Sequence, residues 1–443
     1  MEVRLGTPLT IDDIDAASRG AATVVVPRDA RRRVERAHSF VLDLTRVGTP
    51  VYGLTTGCGP LSGNEISPEG REEFQRNLVR SHACGLGRPH ATELVRAAMV
   101  LRAQVFARGC SGVDPELPEL LCAMLARGIH PIVREIGGVG ASGDLVELAQ
   151  LALAVIGEGD VEADGHVRPA AEVLAEAGLS PIAPRLREGL ALMNGTSFHT
   201  GAAALLAARA RRLRAAAEVA ATFAFEALGG HVEALDPALH AARPHPGQQA
   251  VAWRMRSLVE GSTLVRRDDS AAARQDAYTL RCTPQILGAA AAVLAAAEVV
   301  VETEINAICD NPLFLVDEGR VVHGGNFHGQ PVATALDQMK LALVEIGVLS
   351  ERRLARLLDA SLNNGLPPFL VGGPAGLHSG FMGLQYCAGS MAADNAVLAA
   401  PASVRSVSTN ASNQDVVSMG MVAARQTAQV MENAERMVAI EML

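Results

Sequence analysis

The stretch Ile286-Leu287-Gly288-Ala289-Ala290-Ala291-Ala292-Val293-Leu294-Ala295-Ala296-Ala297-Glu298 decides the fold class. It lies inside a longer segment, Thr283 to Ala307, that is apolar through most of its length. Alanine loses no side-chain entropy on entering a helix and lets neighbouring helices approach closely. The segment therefore predicts a long, buried, central helix. Glu298, Glu302 and Glu304 follow the apolar run too soon for a bilayer span, which needs ~20 apolar residues. No membrane partner is expected.

Similar patterns flank it. Thr200 to Leu228 is rich in alanine and leucine, and Gly229-Gly230 supplies a stop. Leu336, Met339, Leu343 and Ile346 step by three and four, Leu354 and Leu357 resume the stripe, and Asn364-Gly365-Leu366-Pro367-Pro368 ends it. Two more helices are predicted, from about Phe381 to Leu398 and from Gln414 to the C-terminus. Before Asn194, Gly57-Cys58-Gly59-Pro60, Gly85-Leu86-Gly87-Arg88-Pro89 and Gly137-Gly138-Val139-Gly140 break the chain into short elements. The expectation is an all-α protein, with a loop-rich region over 1–193 and a bundle of long helices over 194–443.

Composition agrees and narrows the function. The 443 residues can bury a large core, and with 49% hydrophobic but only 3% aromatic residues, alanine, leucine and valine must fill it. The charge is −9, from 39 basic and 48 acidic residues, and the arginines at 31–33 and 209–214 lie in mixed, helix-like stretches. Nucleic-acid binding, which needs clustered positive charge and stacking aromatics, is set aside. Seven cysteines, at 58, 84, 110, 122, 282, 309 and 387, form no CxxC pair. That pattern fits a reducing, cytoplasmic setting without a disulfide framework or a metal site. The first residues, Met1 to Gly6, lack the apolar core of a signal peptide.

The chemistry gathers at Gly137-Gly138-Val139-Gly140-Ala141-Ser142-Gly143-Asp144-Leu145. Four glycines around one serine open backbone geometries that a Cβ disfavours. Taken alone, the segment reads as a helix start with Ser142 or Asp144 as N-cap. In context it resembles the histidine, phenylalanine and tyrosine ammonia-lyases and the related aminomutases. In that family the glycine amide of an Ala-Ser-Gly triplet attacks the alanine carbonyl, and water is lost from the ring and from the serine side chain. The product is the electrophile 4-methylidene-imidazol-5-one (MIO). Ala141, Ser142 and Gly143 meet its needs: a small first residue, a β-leaving group and an unhindered amide.

The resemblance runs from about residue 50 to the end in ordered blocks. They include Tyr52 to Gly57, Arg76 to His82, Ala191 to Thr196, Gln275 to Cys282, Glu304-Ile305-Asn306, Asp310 to Leu313, Gly325 to Gly329 and Asn413 to Gly420. It implies a fumarase/aspartase-like helical fold, a small amino-acid substrate, and a homotetramer with sites shared between subunits. It also implies MIO as the sole prosthetic group, with no free cofactor and no metal. Tyr52 would be the base that takes the β-proton. Arg281 would clamp the substrate carboxylate in a two-pronged geometry. Asn194 would hydrogen-bond the ring, Gln275, Tyr278 and Phe327 would line the site, and Asn311 would help hold the carboxylate.

Two positions bear on the substrate. His82 stands where phenylalanine-specific members carry apolar residues, and Gln414 stands where histidine ammonia-lyases present a glutamate. A neutral amide forfeits a charge-assisted bond to imidazole. The pair resembles tyrosine-directed members, so tyrosine is the expected substrate and histidine, giving urocanate, the alternative. The outcome is loss of ammonia or 2,3-migration of the amine. The chain departs from the family pattern at Gly138, usually serine, at Val146-Glu147, usually Ala-Pro, and at Cys58, often aromatic. The stretch from Gly261 to Arg274 looks short, and the chain stops at Leu443 where longer relatives add helices. A fumarase/argininosuccinase-type lyase shares the helical style, but its Gly-Ser-Ser loop is not found here. An inactive relative kept for assembly or binding is the non-enzyme alternative.

Overall fold

In the computed structural model, which describes residues 1–267 and 275–443, the deciding segment forms a helix over Thr283–Ile305. Leu287, Ala290, Leu294, Ala297, Val301 and Ile305 are buried, at helical steps of three and four. The predicted all-round burial does not hold, because Val293 and Val299 on other faces are exposed. The helix has the length and composition of a membrane span, and 33% of its most apolar window is buried. Other long helices are Arg28–Arg46, Ser197–Ala227, Gln330–Leu358, Met382–Leu398 and Gly420–Met442.

Two predicted boundaries move. The stripe through Leu354 and Leu357 stops at Leu358, before the Asn364 to Pro368 breaker. The last helix begins at Gly420, not Gln414. Thr409 and Gln414 exchange backbone bonds at 3.0 and 3.3 Å, and the left-handed Asn410, Ala411 and Ser412 turn the chain back between them. The stretch from Gly261 to Arg274 lies partly outside the described residues.

The chain divides into two compact units, and not by a single cut after Met193. One holds Met1–Leu205, Glu298–Thr334 and Ala402–Ala424; the other holds Leu206–Ala297, Ala335–Pro401 and Arg425–Leu443. Asn194 thus groups with the loop-rich part. In the first unit the helices Arg71–His82, Leu145–Val155 and Glu188–Met193 pack on one another. Small strand pairs, such as Leu313–Leu315 with Arg320–Val322, stitch its loops together. Val41, Val51, Leu54, Leu186 and Phe314 form one of its cores. In the second unit Leu354, Leu358, Ala388 and Met437 form a core, and the buried Arg353 pairs with Glu441.

Candidate active site

Gly140 and Gly143 pair as an antiparallel bridge, leaving Ala141 and Ser142 at the tip of a tight turn. Gly140 has φ +87°, Ser142 +49° and Gly143 +83°. A left-handed serine is uncommon and persists only where its surroundings impose it. Here a second glycine strand imposes it. Gly195 N donates to Ser142 O at 3.1 Å, and Asp144 N donates to Gly195 O at 2.8 Å. A Cβ on Gly143 would lie 2.0 Å from Gly195 O, and one on Gly195 would lie 2.4 Å from Arg102 Nη1. A Cβ on Gly140 would lie 2.2 Å from Ser418 Oγ. The turn closes because glycine at 140, 143 and 195 leaves room for these neighbours.

Asp144 precedes the helix Leu145–Val155 but its side chain does not cap it. One carboxylate oxygen instead accepts from Phe198 N (2.7 Å) and His199 N (2.9 Å), in the first turn of Ser197–Ala227. Negative charge is favoured at a helix N-terminus. The other oxygen faces His199 Nδ1 at 2.6 Å. Burial pulls the His199 pKa down, but Asp144, with Glu304 and Glu147 behind it, holds it above the ordinary imidazole range. The simple N-cap reading of Asp144 is therefore replaced by a tie between two helix starts.

Around the turn, Asn194 is buried at the end of Glu188–Met193. Its backbone oxygen accepts from the buried Arg102 at 2.6 Å, and its side-chain Oδ1 has no hydrogen-bond partner among the described residues. Gln414 donates from Nε2 to Ser142 Oγ at 3.2 Å. Thr409 Oγ1 donates to Gln414 Oε1 at 2.9 Å, so the amide is oriented with its NH2 toward the turn.

The Tyr52 loop is joined to the same region. Gln75 Nε2 donates to Gly53 O (2.8 Å) and Leu190 N donates to Gln75 Oε1 (2.9 Å), bridging the loop to the helix that ends at Asn194. The Tyr52 hydroxyl accepts from Gly59 N at 2.7 Å. Burial and then the neighbouring Cys58 raise the Tyr52 pKa, while the Gly59 bond works in the opposite direction. Burial pushes the Cys58 thiol up to about 11. His82, at the end of Arg71–His82, has Nδ1 2.8 Å from Leu78 O, a carbonyl that can only accept. In the neutral ring a hydrogen bond there places the hydrogen on Nδ1 and leaves Nε2 as an acceptor.

The remaining expected residues are placed differently. Asn311 Oδ1 accepts from Gly324 N at 2.8 Å, so its side chain holds its own loop. Phe327 is half-buried in the first unit. Gln275, Tyr278 and Arg281 belong to the second unit; Gln275 and Tyr278 are exposed, and the Arg281 guanidinium stacks 4.7 Å from the Tyr278 ring centroid. The first unit thus gathers Ser142, Asn194 and Gln414 about one turn, with the Tyr52 loop tied to it. Gln75, Arg102 and His199 were not anticipated. An arginine within the apolar run of the helix Thr92–Ala107 was the available signal for Arg102; Gln75 adjoins the Arg76 to His82 block, and His199 carries no local signal.

Residues 9–443 match the family described as aromatic amino acid lyase. The chain is 46% identical over 438 residues to the histidine ammonia-lyase of Gloeobacter violaceus, covering 99% of this chain and 85% of that protein. The fold matches tyrosine aminomutase from Streptomyces globisporus with a TM-score of 0.95 at 38% identity, covering 100% of this chain and 87% of the other. It matches histidine ammonia-lyase from Trypanosoma cruzi with a TM-score of 0.91 at 37% identity, covering 100% and 83%. With sequence and fold in agreement over nearly the whole chain, the protein belongs to the aromatic amino acid lyase family of MIO-dependent ammonia-lyases and aminomutases, and is a carbon–nitrogen lyase.

Proposed function

We propose that this protein eliminates ammonia from histidine to give urocanate, using a prosthetic ring made from Ala141-Ser142-Gly143. The carrying observation is the glycine-clamped turn that holds Ser142 left-handed, with the Gln414 amide aimed at its Oγ. The turn fits the ring-forming triplet, since glycine at 143 removes steric cover from the attacking amide. The buried Asn194 Oδ1 is a polar atom in need of a partner. When formed, the group would supply an electrophilic carbon that takes electrons from the substrate amine.

The protein's own residues do the rest. Tyr52 takes the β-proton; the Gly59 N–H on its hydroxyl favours the phenolate. His82 offers Nε2 as an acceptor for a ring N–H. Loss of the Ser142 oxygen during ring formation frees the Gln414 N–H for the substrate ring. Arg281, stacked on Tyr278, takes the carboxylate within a homotetramer that shares its sites. Free cysteines at all seven positions support a reducing, cytoplasmic setting.

The preference for tyrosine expected from His82 and Gln414 is not what the sequence relatives carry: those at 46% identity are named histidine ammonia-lyase. Tyrosine stays as the second reading because Gln414 is a neutral amide and a tyrosine aminomutase shares the fold at 38% identity. Product analysis by mass spectrometry with histidine, tyrosine and phenylalanine separates them. Urocanate from histidine, absent with Ser142→Ala, is expected. A cinnamate-type acid or a β-amino acid from tyrosine alone would replace the first reading with the second.

A further inference from the structure

Glu147 is fully buried in the first turn of Leu145–Val155. A buried carboxyl group is costly unless it gains hydrogen bonds. Its Oε1 accepts from Gly138 N at 3.0 Å, a buried bond. A side chain at 138 would force this carboxyl to shift. A Cβ at 138 would lie 2.4 Å from both carboxyl oxygens and 2.7 Å from the carbon between them. Gly138 is not left-handed, so its backbone alone does not ask for glycine. The Glu147 carboxyl does.

The contact sits astride the reactive turn. Gly138 lies on the chain entering Gly140–Gly143, and Glu147 lies on the helix leaving it, nine residues on. Ring closure needs the Ala141 carbonyl carbon and the Gly143 nitrogen held together, and a brace across both ends limits the conformations the loop must search. Met419 N, donating to Val139 O at 2.9 Å, holds the same arm from the other side.

We propose that Glu147 and Gly138 are a matched pair that braces the Gly140–Gly143 turn for ring closure, making Glu147 a positioning residue for formation of the prosthetic group. This rests on the ring-forming reading above. Positions 138 and 147 both depart from the family pattern of serine and proline. One exchange accounts for both: side-chain volume is removed at 138 and supplied by the carboxyl at 147.

Intact-protein mass tests the brace without substrate, because each closed ring lowers the mass by two waters. Glu147→Gln keeps the acceptor and is expected to keep the mass deficit. Glu147→Ala strands the buried Gly138 amide, and the ring-bearing fraction should fall roughly tenfold while circular dichroism retains the helical signal. Gly138→Ser should lose the deficit, and Gly138→Ser with Glu147→Ala should recover only to the level of Glu147→Ala, since the added Cβ then has room but the amide still lacks its acceptor. Folded Glu147→Ala with the full deficit overturns the proposal, as does a double variant no better than Gly138→Ser alone. Should Glu147→Ala not fold, Glu147→Asp decides, because it withdraws the carboxyl by one methylene; a full deficit there also overturns the pair. Wild type without any deficit defeats the ring-forming reading itself, whereas wild type with it and unaffected variants defeats only the brace.

Discussion

The Tyr52 hydroxyl sits between two opposing neighbours. Gly59 N–H stabilises its deprotonated form, while burial and Cys58 oppose it. Burial raises the Cys58 pKa, with Tyr52 and then Arg187 drawing it down. Removing a group that raises the Tyr52 pKa must lower that pKa. Cys58→Ala is therefore expected to shift the acid limb of the kcat/KM profile to lower pH, measured alongside wild type over the same buffers. An unmoved limb would mean that Tyr52 is not the titrating base. At this scale, residue types dictated by chemistry were legible in the sequence. Ser142 and Gly143 stand adjacent because ring closure uses adjacent atoms. The Thr409 hydroxyl that orients Gln414, and the Gln75 amide that bridges to Leu190, were not, since each depends on partners that only folding brings together.

Between elements, the buried pair of Arg187 and Asp310 joins the start of Glu188–Met193 to the loop before Leu313–Leu315. Both side chains are fully buried, with bonds of 2.8 and 2.9 Å, and Arg187 also donates to Asn311 O at 3.0 Å. Removing one member of such a pair leaves an uncompensated buried charge, a loss of about 3–5 kcal/mol. Asp310→Asn should lower the denaturation midpoint accordingly, and a midpoint equal to wild type would show that the pair is not needed for stability. The long helices were legible because their apolar steps persist over many turns. The start of the last helix was not. Asparagine tolerates the left-handed conformation of residue 410, but nothing in Ala411 or Met419 announces theirs. Those geometries are imposed by Gln414 pairing back on Thr409 and by Met419 N reaching Val139 O.

Across the molecule, exposed apolar side chains lie on the long helices: Val299 on Thr283–Ile305, Leu341 and Val348 on Gln330–Leu358, and Val397 on Met382–Leu398. Exposed apolar surface of this kind is available for another chain to cover. The buried Arg281 Nε has no hydrogen-bond partner among the described residues, and its guanidinium stacks on a Tyr278 ring that is 67% exposed. The clamp proposed above thus has no ion-pair partner among the described residues. The homotetramer proposed above would account for both features, covering the helices and bringing Arg281 to a shared site. Light scattering should then give four times the chain mass of 46.3 kDa. Val299→Glu should shift the population to smaller species and reduce turnover in step, while leaving the mass deficit of ring closure intact, because residue 299 does not touch the turn. A wild-type monomer with full turnover would remove the shared-site arrangement and require a different partner for the substrate carboxylate.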